Sequence, residues 1–392
     1  MDPEKKKRLQ NTVGQINKKF GQNTVMSASD ALAQGKLTKR KIQTPSLEIN
    51  DMLHGGFAGI VELFGPTGAG KTSLAIETIA NAQKADPNFV AAWLETEGSV
   101  TEEILFNHGV DLERLIFWRQ EDVGNAENAL DVARGFIVAG DIDMMVINSV
   151  AGLAPKTETE DDLEKQNIAL VARLLSKFFR IITGAASKHD ITMVFINQVR
   201  DNVGVMFGDP TTTPGGKALG FYASQRIRMN RNKMQASDPI KDEDGIKVSC
   251  ITYKNRFAGR FNPYTKCMYY ATYANGIDSI VALPQFLLNA GIVRQAGAWW
   301  YYENAQGVLI ERNGVPCKWR SLSAFIDTLR NDESLRNELL AKLNGTAQNQ
   351  DATEMAEVKR AEAELEAEMD EALRMEEAAD ITQVLNENDG AI

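Results

Sequence analysis

The sequence predicts an α/β protein: a mostly parallel central sheet, an amphipathic helix before it and a small α+β domain after it. Three observations predict this. Short apolar segments of strand length alternate with helical patterns from about residue 58 to near residue 232. A glycine-rich turn ending in Lys71 and Thr72 follows the first of those strands. Beyond residue 232 the segments "GIKVSCITYKNR" and "TKCMYYATYA" are β-rich with no helix between them, so the sheet should end antiparallel.

The elements follow in order. Residues 4–20 place Leu9, Val13, Ile16 and Phe20 at helical spacing among lysines, and "GQN" stops that helix. Its apolar stripe must be buried on its own core or on a neighbouring subunit, and periodicity does not separate the two. Strand "GIVELF" leads into a helix after Lys71. Strand "FVAAWLE" leads to a helix across "TEEILFNHG", and "LIFW" to a helix over about Asn125 to Val138. "MMVIN" precedes a long helix around Ile168 to Thr183, and "ITMVFIN" follows. Residues 277–345 hold the aromatic cluster "AGAWWYYE" and two helix-like segments, enough for a second small domain. The expected division is 1–34 for an N-terminal oligomerisation helix region, 35–276 for the core, 277–345 for the small domain, and 346–392 for a linker with an acidic tail.

Charge is unevenly placed. The formal net charge is −10, yet from Asp351 onward there are 14 acidic and 3 basic residues, so residues 1–350 sum to about +1. The body is therefore free to present a basic face. No apolar run approaches the roughly 18 residues of a membrane helix, and no signal-type apolar segment follows the basic residues at the N-terminus. A soluble, cytoplasmic protein with no membrane partner is expected. Cys250, Cys267 and Cys317 are odd in number and widely spaced, and His54, His108 and His189 are scattered. Neither a disulfide framework nor a zinc site is suggested, and all six read as structural or surface residues.

"VELFGPTGAGKTS" carries Gly65, four residues (Pro66, Thr67, Gly68, Ala69), then Gly70, Lys71 and Thr72, between a strand and a helix. That is a P-loop in its required context. Backbone N–H groups of the turn and the helix N-terminus cradle phosphate oxygens, Lys71 reaches the β and γ phosphates, and Thr72 ligates Mg²⁺. In open α/β sheets ligands sit beyond the carboxyl ends of the strands. Three strand ends therefore matter: Glu95 to Glu97, Asn148 with Ser149, and Asn197 with Gln198. Glu97 can polarise an attacking water and Gln198 can contact a γ phosphate.

"FINQVRDNVGVMFGDPTTTPGGKALGFYASQRIRM", residues 195–229, strongly resembles the second DNA-binding loop and following strand of the bacterial RecA family of strand-exchange proteins. Similarity extends to "GQINKKFG", "GPTGAGKT", "NSVAGLAPKTE", "VARLLSKFFR", "YKNRFAGRF" and "NAGIVRQAGAWWYY", and covers roughly residues 4–345. The resemblance implies a RecA-like P-loop ATPase core that takes ATP and Mg²⁺, forms a helical filament of identical subunits, and binds single- and double-stranded DNA. It places the catalytic glutamate on Glu97 and the γ-phosphate-sensing glutamine on Gln198. The first DNA loop falls on about Lys156 to Asn167 and the second on Val199 to Thr213, with Arg200, Val203, Gly204, Met206, Phe207 and Thr212 in it and Gly215 and Gly216 just after it. Lys254 and Arg256 match a basic pair reaching the neighbouring subunit's ATP, and Phe221 matches an interface residue that relays nucleotide state.

The residues support the DNA side independently. Arg173, Lys177 and Arg180 recur at helical spacing, placing three cations on one face beside the two loops. Gly204, Gly208, Gly215 and Gly216 give the second loop freedom to order on DNA, while Val203, Met206 and Phe207 can wedge between bases.

Three positions depart from the family. Asn148 stands in place of an Asp whose carboxylate holds a Mg²⁺-bound water; it keeps an acceptor oxygen and loses the charge, a change of the kind that costs roughly 10- to 100-fold in metal affinity or activity. Glu95 stands where Asp is usual and offers a partial replacement for that charge. Ile104 replaces an aromatic that stacks on adenine, while Tyr273, across the base pocket, is retained. With Lys71, Thr72, Glu97 and Gln198 all present, the expectation is an active DNA-dependent ATPase recombinase with altered Mg²⁺ dependence, acting in homologous recombination and DNA repair. The alternatives are an ATP-binding filament or recombination accessory factor that hydrolyses little, and a ring helicase on the same core. The small C-terminal domain is expected to gather duplex DNA and the tail to compete with DNA.

Overall fold

The computed structural model describes residues 2–160, 170–201, 211–236, 238–258 and 264–345. The chain divides into two units, Met1–Ser279 and Ile280–Ile392.

The first unit opens with α1 (Pro3–Phe20), whose start is fixed by Asp2 accepting from the Glu4 backbone N–H and by proline in the first turn. A short α2 (Ala28–Ala33) follows. Neither helix buries a single residue, and Leu9 and Phe20 are 53 % and 65 % exposed. The stripe predicted from periodicity is present and is not covered by the chain's own core.

Then come α3 (Leu47–Met52), β1 (Ile60–Gly65), α4 (Lys71–Ala85), β2 (Ala91–Glu95), α5 (Glu102–Asn107) and β3 (Leu115–Arg119). They are followed by α6 (Gln120–Val123), α7 (Ala126–Ala139), β4 (Met144–Asn148), α8 (Lys156–Glu160), α9 (Leu170–Lys188) and β5 (Thr192–Gln198). A two-stranded ribbon of β6 (Arg200–Asp201) and β7 (Thr211–Thr212) precedes α10 (Lys217–Tyr222), β8 (Gln225–Asn232), β9 (Gly245–Asn255), β10 (Lys266–Thr272) and β11 (Gly276–Ile277).

Nine strands form one sheet in the order β11-β10-β9-β8-β1-β5-β4-β2-β3. The six from β8 to β3 are parallel. The turn to antiparallel pairing occurs between β8 and β9 and holds to β11, as the loss of intervening helices after residue 232 predicts. Strand alternation feeds a core on each face. Trp93, Val146 and Val194 point to the side covered by Leu74 and Ile79 of α4. Leu94, Ile147 and Phe195 point to the side covered by Leu130 of α7 and Phe179 of α9. Phe179 stacks on Tyr222 and meets Phe195 edge-on, so α9 is anchored under the strands whose ends carry polar residues.

The second unit contains α11 (Leu283–Asn289), β12 (Arg294–Ala296), β13 (Trp299–Tyr301), β14 (Glu311–Arg312), β15 (Val315–Pro316), β16 (Lys318–Trp319), α12 (Leu322–Asn331) and a helix over 333–345. Strands β12, β13 and β16 form an antiparallel sheet packed on α12, with Trp319 stacked on Phe325 at 4.1 Å and Trp300 beside it. No described helix is long and apolar enough to cross a membrane.

Candidate active site

Sheet register alone assembles the site. Gly65 at the end of β1 is level with Gln198 at the end of β5, and Glu95 at the end of β2 is level with Asn148 at the end of β4. Four strands therefore deliver polar groups to one edge.

The turn from β1 into α4 is the P-loop. Gly70 precedes the helix in the left-handed region at φ 78°, where a side chain would be strained. A cavity of about 190 Å³ is lined by Thr67, Gly68, Ala69, Gly70, Lys71 and Thr72 from this turn, with Glu97 and Gln198 facing them. Lys71 is buried, and its ammonium donates to the carbonyls of Gly65 and Pro66 at 3.0 and 2.7 Å. Burial pulls the Lys71 pKa down and the Glu97 carboxylate pushes it back up. A phosphate in the cavity would offer this ammonium anionic oxygens in place of the loop carbonyls.

Across the cavity, Glu97 Oε1 accepts from Gln198 Nε2 at 3.0 Å and from the Ser149 hydroxyl. Gln198 is held in turn by Asn197, whose Oδ1 accepts from the Gln198 N–H and whose Nδ2 donates to Glu62 Oε1 at 3.1 Å and to the Pro214 carbonyl at 3.0 Å. Glu62 is fully buried in the middle of β1 and pairs with Arg226 at 2.6 Å. A charge there is tolerated because both carboxylate oxygens have donors.

Thr72 Oγ1 lies 3.4 Å from Asn148 Oδ1. The two hard oxygens form a donor set that fits Mg²⁺, which keeps several of its own waters. Glu95, offered from sequence as a substitute charge, has its carboxylate occupied by donors from Trp93, Asn148, Glu97 and Ser99. Tyr273 and Ile104 are not among the residues lining the phosphate cavity. Tyr273 is 64 % exposed and its hydroxyl accepts from Arg231, while Ile104 packs partly buried against the core.

Lys254 lies near the far end of β9 and Arg256 just past it. Lys254 donates to the carbonyls of Gly220 and Phe221 at 3.0 and 2.9 Å, and Arg256 to that of Phe221 at 3.3 Å, while the Phe221 ring is 69 % exposed. Burial first, then the neighbouring Arg256 and Arg226, push the Lys254 pKa down to about 8.

On the nucleic-acid side, Arg173, Lys177 and Arg180 are exposed on α9. Lys177 sits at a groove of about 400 Å³ between α9 and α7 that also includes Glu127, Asp131 and Arg134. Arg200 is exposed at the base of the ribbon, opposite Thr212. Gly215 and Gly216 have φ of 87° and 66°, and a Cβ at either would fall 2.8 Å from Leu175 or Ala172 of α9. Expected to give the loop freedom, these two glycines also meet a tight packing demand. Val203, Gly204, Met206 and Phe207, and most of the first loop, lie outside the described residues.

Ser149 and Asn197, marked from sequence as strand-end residues without a role, take their partners here, whereas Glu62, Trp93 and Ser99 were passed over. Glu62 carried a visible signal, a lone carboxylate inside the apolar strand "IVELF". Cys250 and Cys267, distant in sequence, face each other across β9 and β10 as free thiols.

A family model described as the RecA N-terminal domain matches residues 7–278. Among curated proteins, Protein RecA of Thermus aquaticus is 37 % identical over 310 residues, 77 % of this chain and 86 % of that one. Protein RecA of Acinetobacter baylyi is 36 % identical over 310 residues, 77 % of this chain and 84 % of the relative. Protein RecA of Acinetobacter baumannii strain AYE is 33 % identical over 364 residues, 90 % of this chain and 98 % of the relative.

Proposed function

The chain belongs to the RecA family, and we propose from that premise that it is a DNA-dependent ATPase recombinase. It polymerises on single-stranded DNA with ATP, takes up duplex and exchanges strands by base pairing. The observation that carries this reading is the convergence of Lys71, Thr72, Glu97 and Gln198 on one cavity at the carboxyl edge of the sheet.

The geometry supports the following roles. Loop N–H groups and Lys71 hold the phosphates, and the γ phosphate lies toward Gln198. Glu97 orients a water and takes its proton as the water oxygen bonds to the γ phosphorus and ADP leaves. Thr72 and Asn148 would hold Mg²⁺, whose charge would offset that of the phosphates. Because Gln198 contacts Glu97 and is bound through Asn197 to the Pro214 carbonyl, a γ phosphate that draws Gln198 away also pulls on the segment closing the second DNA loop. Nucleotide state is thereby tied to DNA binding by Arg200, the loop and the cations of α9.

Filament formation is supported by two surfaces without a partner among the described residues. The apolar stripe of α1 needs a cover, and the outer edge of β3, unpaired among the described strands, lies beside a cavity of about 300 Å³ lined by Val100, Leu105, Leu112 and Phe117 together with Glu102 and Arg119. A neighbouring subunit brings Lys254 and Arg256 to the ATP of the next, exchanging the Phe221 carbonyl for phosphate oxygens. The small second unit, with exposed Trp299 stacked beside Tyr301, whose strand partners are Arg294 and Lys318, gathers duplex, and the tail from Asp351 competes with it.

Joint-molecule formation between circular single strands and homologous linear duplex tests the reading. It requires ATP and homology. Unwinding of a duplex without a homologous strand would point to a helicase, and DNA coating without exchange to an accessory factor.

A further inference from the structure

The carboxylate of Glu95 is 1 % exposed at the sheet edge and accepts five hydrogen bonds. Its Oε2 takes Trp93 Nε1 and Asn148 Nδ2, each at 2.9 Å. Its Oε1 takes the backbone N–H groups of Glu97 and Ser99 at 3.1 and 3.2 Å and the Ser99 hydroxyl at 3.3 Å. The Trp93 indole and the backbone N–H groups of Glu97 and Ser99 can only donate, so both carboxylate oxygens serve as acceptors. The Asn148 amide must therefore turn its NH₂ toward Glu95, and its second proton finds Ser99 Oγ at 3.3 Å. With both amide protons used, Asn148 Oδ1 has one direction left, toward Thr72 Oγ1.

We infer that Glu95 is a positioning residue for the cation side of the phosphate site: it locks the Asn148 amide so that a neutral oxygen stands beside Thr72. The inference rests on the proposed reading of the P-loop as a Mg²⁺-nucleotide site. It assigns Glu95 no contact with the cation, since its lone pairs are already taken. The carboxylate stands one residue behind the site, where its Oε2 fixes the orientation of the Asn148 amide. Glutamine at position 95 cannot reproduce this, because one of its two ends becomes a donor and would face either Trp93 and Asn148 or the N–H groups of Glu97 and Ser99. With the donor end toward Trp93 and Asn148, the Asn148 amide loses its acceptor and is free to turn its NH₂ to the cation; with that end toward Glu97 and Ser99, the N–H groups that hold the side chain in place lose theirs.

The test is calorimetric titration of the full chain with ADP, in EDTA and across a Mg²⁺ series, for wild type, Glu95→Gln and Ser99→Ala, with thermal melting as a check on folding. In wild type Mg²⁺ tightens ADP binding. In Glu95→Gln the Mg²⁺ concentration at half of that tightening rises about tenfold, as outer-shell changes do, while affinity in EDTA stays unchanged. Ser99→Ala, which removes an exposed hydroxyl from the same amide, shifts the midpoint the same way by a smaller factor, and it decides the matter if Glu95→Gln does not fold. A midpoint unmoved in the folded variants, or an equal loss of affinity with and without Mg²⁺, overturns the role of Glu95 and leaves the nucleotide reading standing. Wild-type binding that is indifferent to Mg²⁺ overturns both.

Discussion

Gln198 donates its side-chain amide to the carboxylate of Glu97 at 3.0 Å, joining the ends of β5 and the loop after β2 across the phosphate cavity. On the proposed reading, the γ-phosphate sensor thus restrains the water-activating carboxylate, and nucleotide binding divides them so that Glu97 serves as the base. Glu97→Gln keeps the shape and removes the base. Hydrolysis should fall by a factor on the order of 10² to 10⁴, the usual contribution of general base catalysis, while ATP-dependent binding to single-stranded DNA persists. Phosphate release and DNA anisotropy measure the two; near-normal hydrolysis would take the role from Glu97.

A second prediction concerns pH. The Lys254 pKa, lowered to about 8 by burial and by Arg256 and Arg226, means that the ammonium is charged below that value and neutral above it. If Lys254 completes the neighbour's site, DNA-stimulated hydrolysis declines as pH rises through about 8, and Lys254→Arg, whose guanidinium stays charged, holds its rate there. Coincident alkaline limbs for wild type and Lys254→Arg would show that Lys254 does not carry the effect.

The pair of buried Glu62 with half-buried Arg226 yields a stability prediction. Glu62 is fully buried and Arg226 also lies over the Phe64 ring. Glu62→Gln leaves the guanidinium without its counter-charge and should cost about 3 kcal/mol in urea unfolding. Adding Arg226→Gln should return part of that loss. A single variant as stable as wild type would make the pair incidental.

A fourth prediction separates folding from assembly. Leu9 and Phe20 stand exposed on a helix with no buried residue, so Leu9→Glu with Phe20→Glu should change unfolding free energy by less than about 0.5 kcal/mol each. The same changes should abolish the rapidly sedimenting species formed with ATP and DNA. Sedimentation identical to wild type would place the subunit contact elsewhere.

Much of this arrangement was legible in the sequence, for physical reasons. Strand "MMVIN" reads as a central strand because residues facing both layers must be apolar, and Val146 and Ile147 indeed enter opposite cores. The P-loop was legible because its turn demands glycines at set spacing before a helix. The partners of Glu95 were not, since spacing cannot say where a carboxylate one methylene longer than Asp ends. Nor was the approach of Lys254 to Phe221, which depends on the pairing of β8 with β9 and on the irregularity between Arg226 and Ile227. Gly215 and Gly216 showed their turn character but not their contact with α9, because tertiary packing leaves no local mark.

The central claim is that the P-loop edge of this sheet hydrolyses ATP under the control of DNA, with Asn148 in place of a charged residue. It is tested most directly by phosphate release from ATP, with and without single-stranded DNA, across a Mg²⁺ titration of the full chain. The predicted result is hydrolysis strongly stimulated by single-stranded DNA, rising with Mg²⁺ to a plateau and lost in Glu97→Gln. Tight ATP binding with no DNA-stimulated phosphate release at any Mg²⁺ concentration would contradict it.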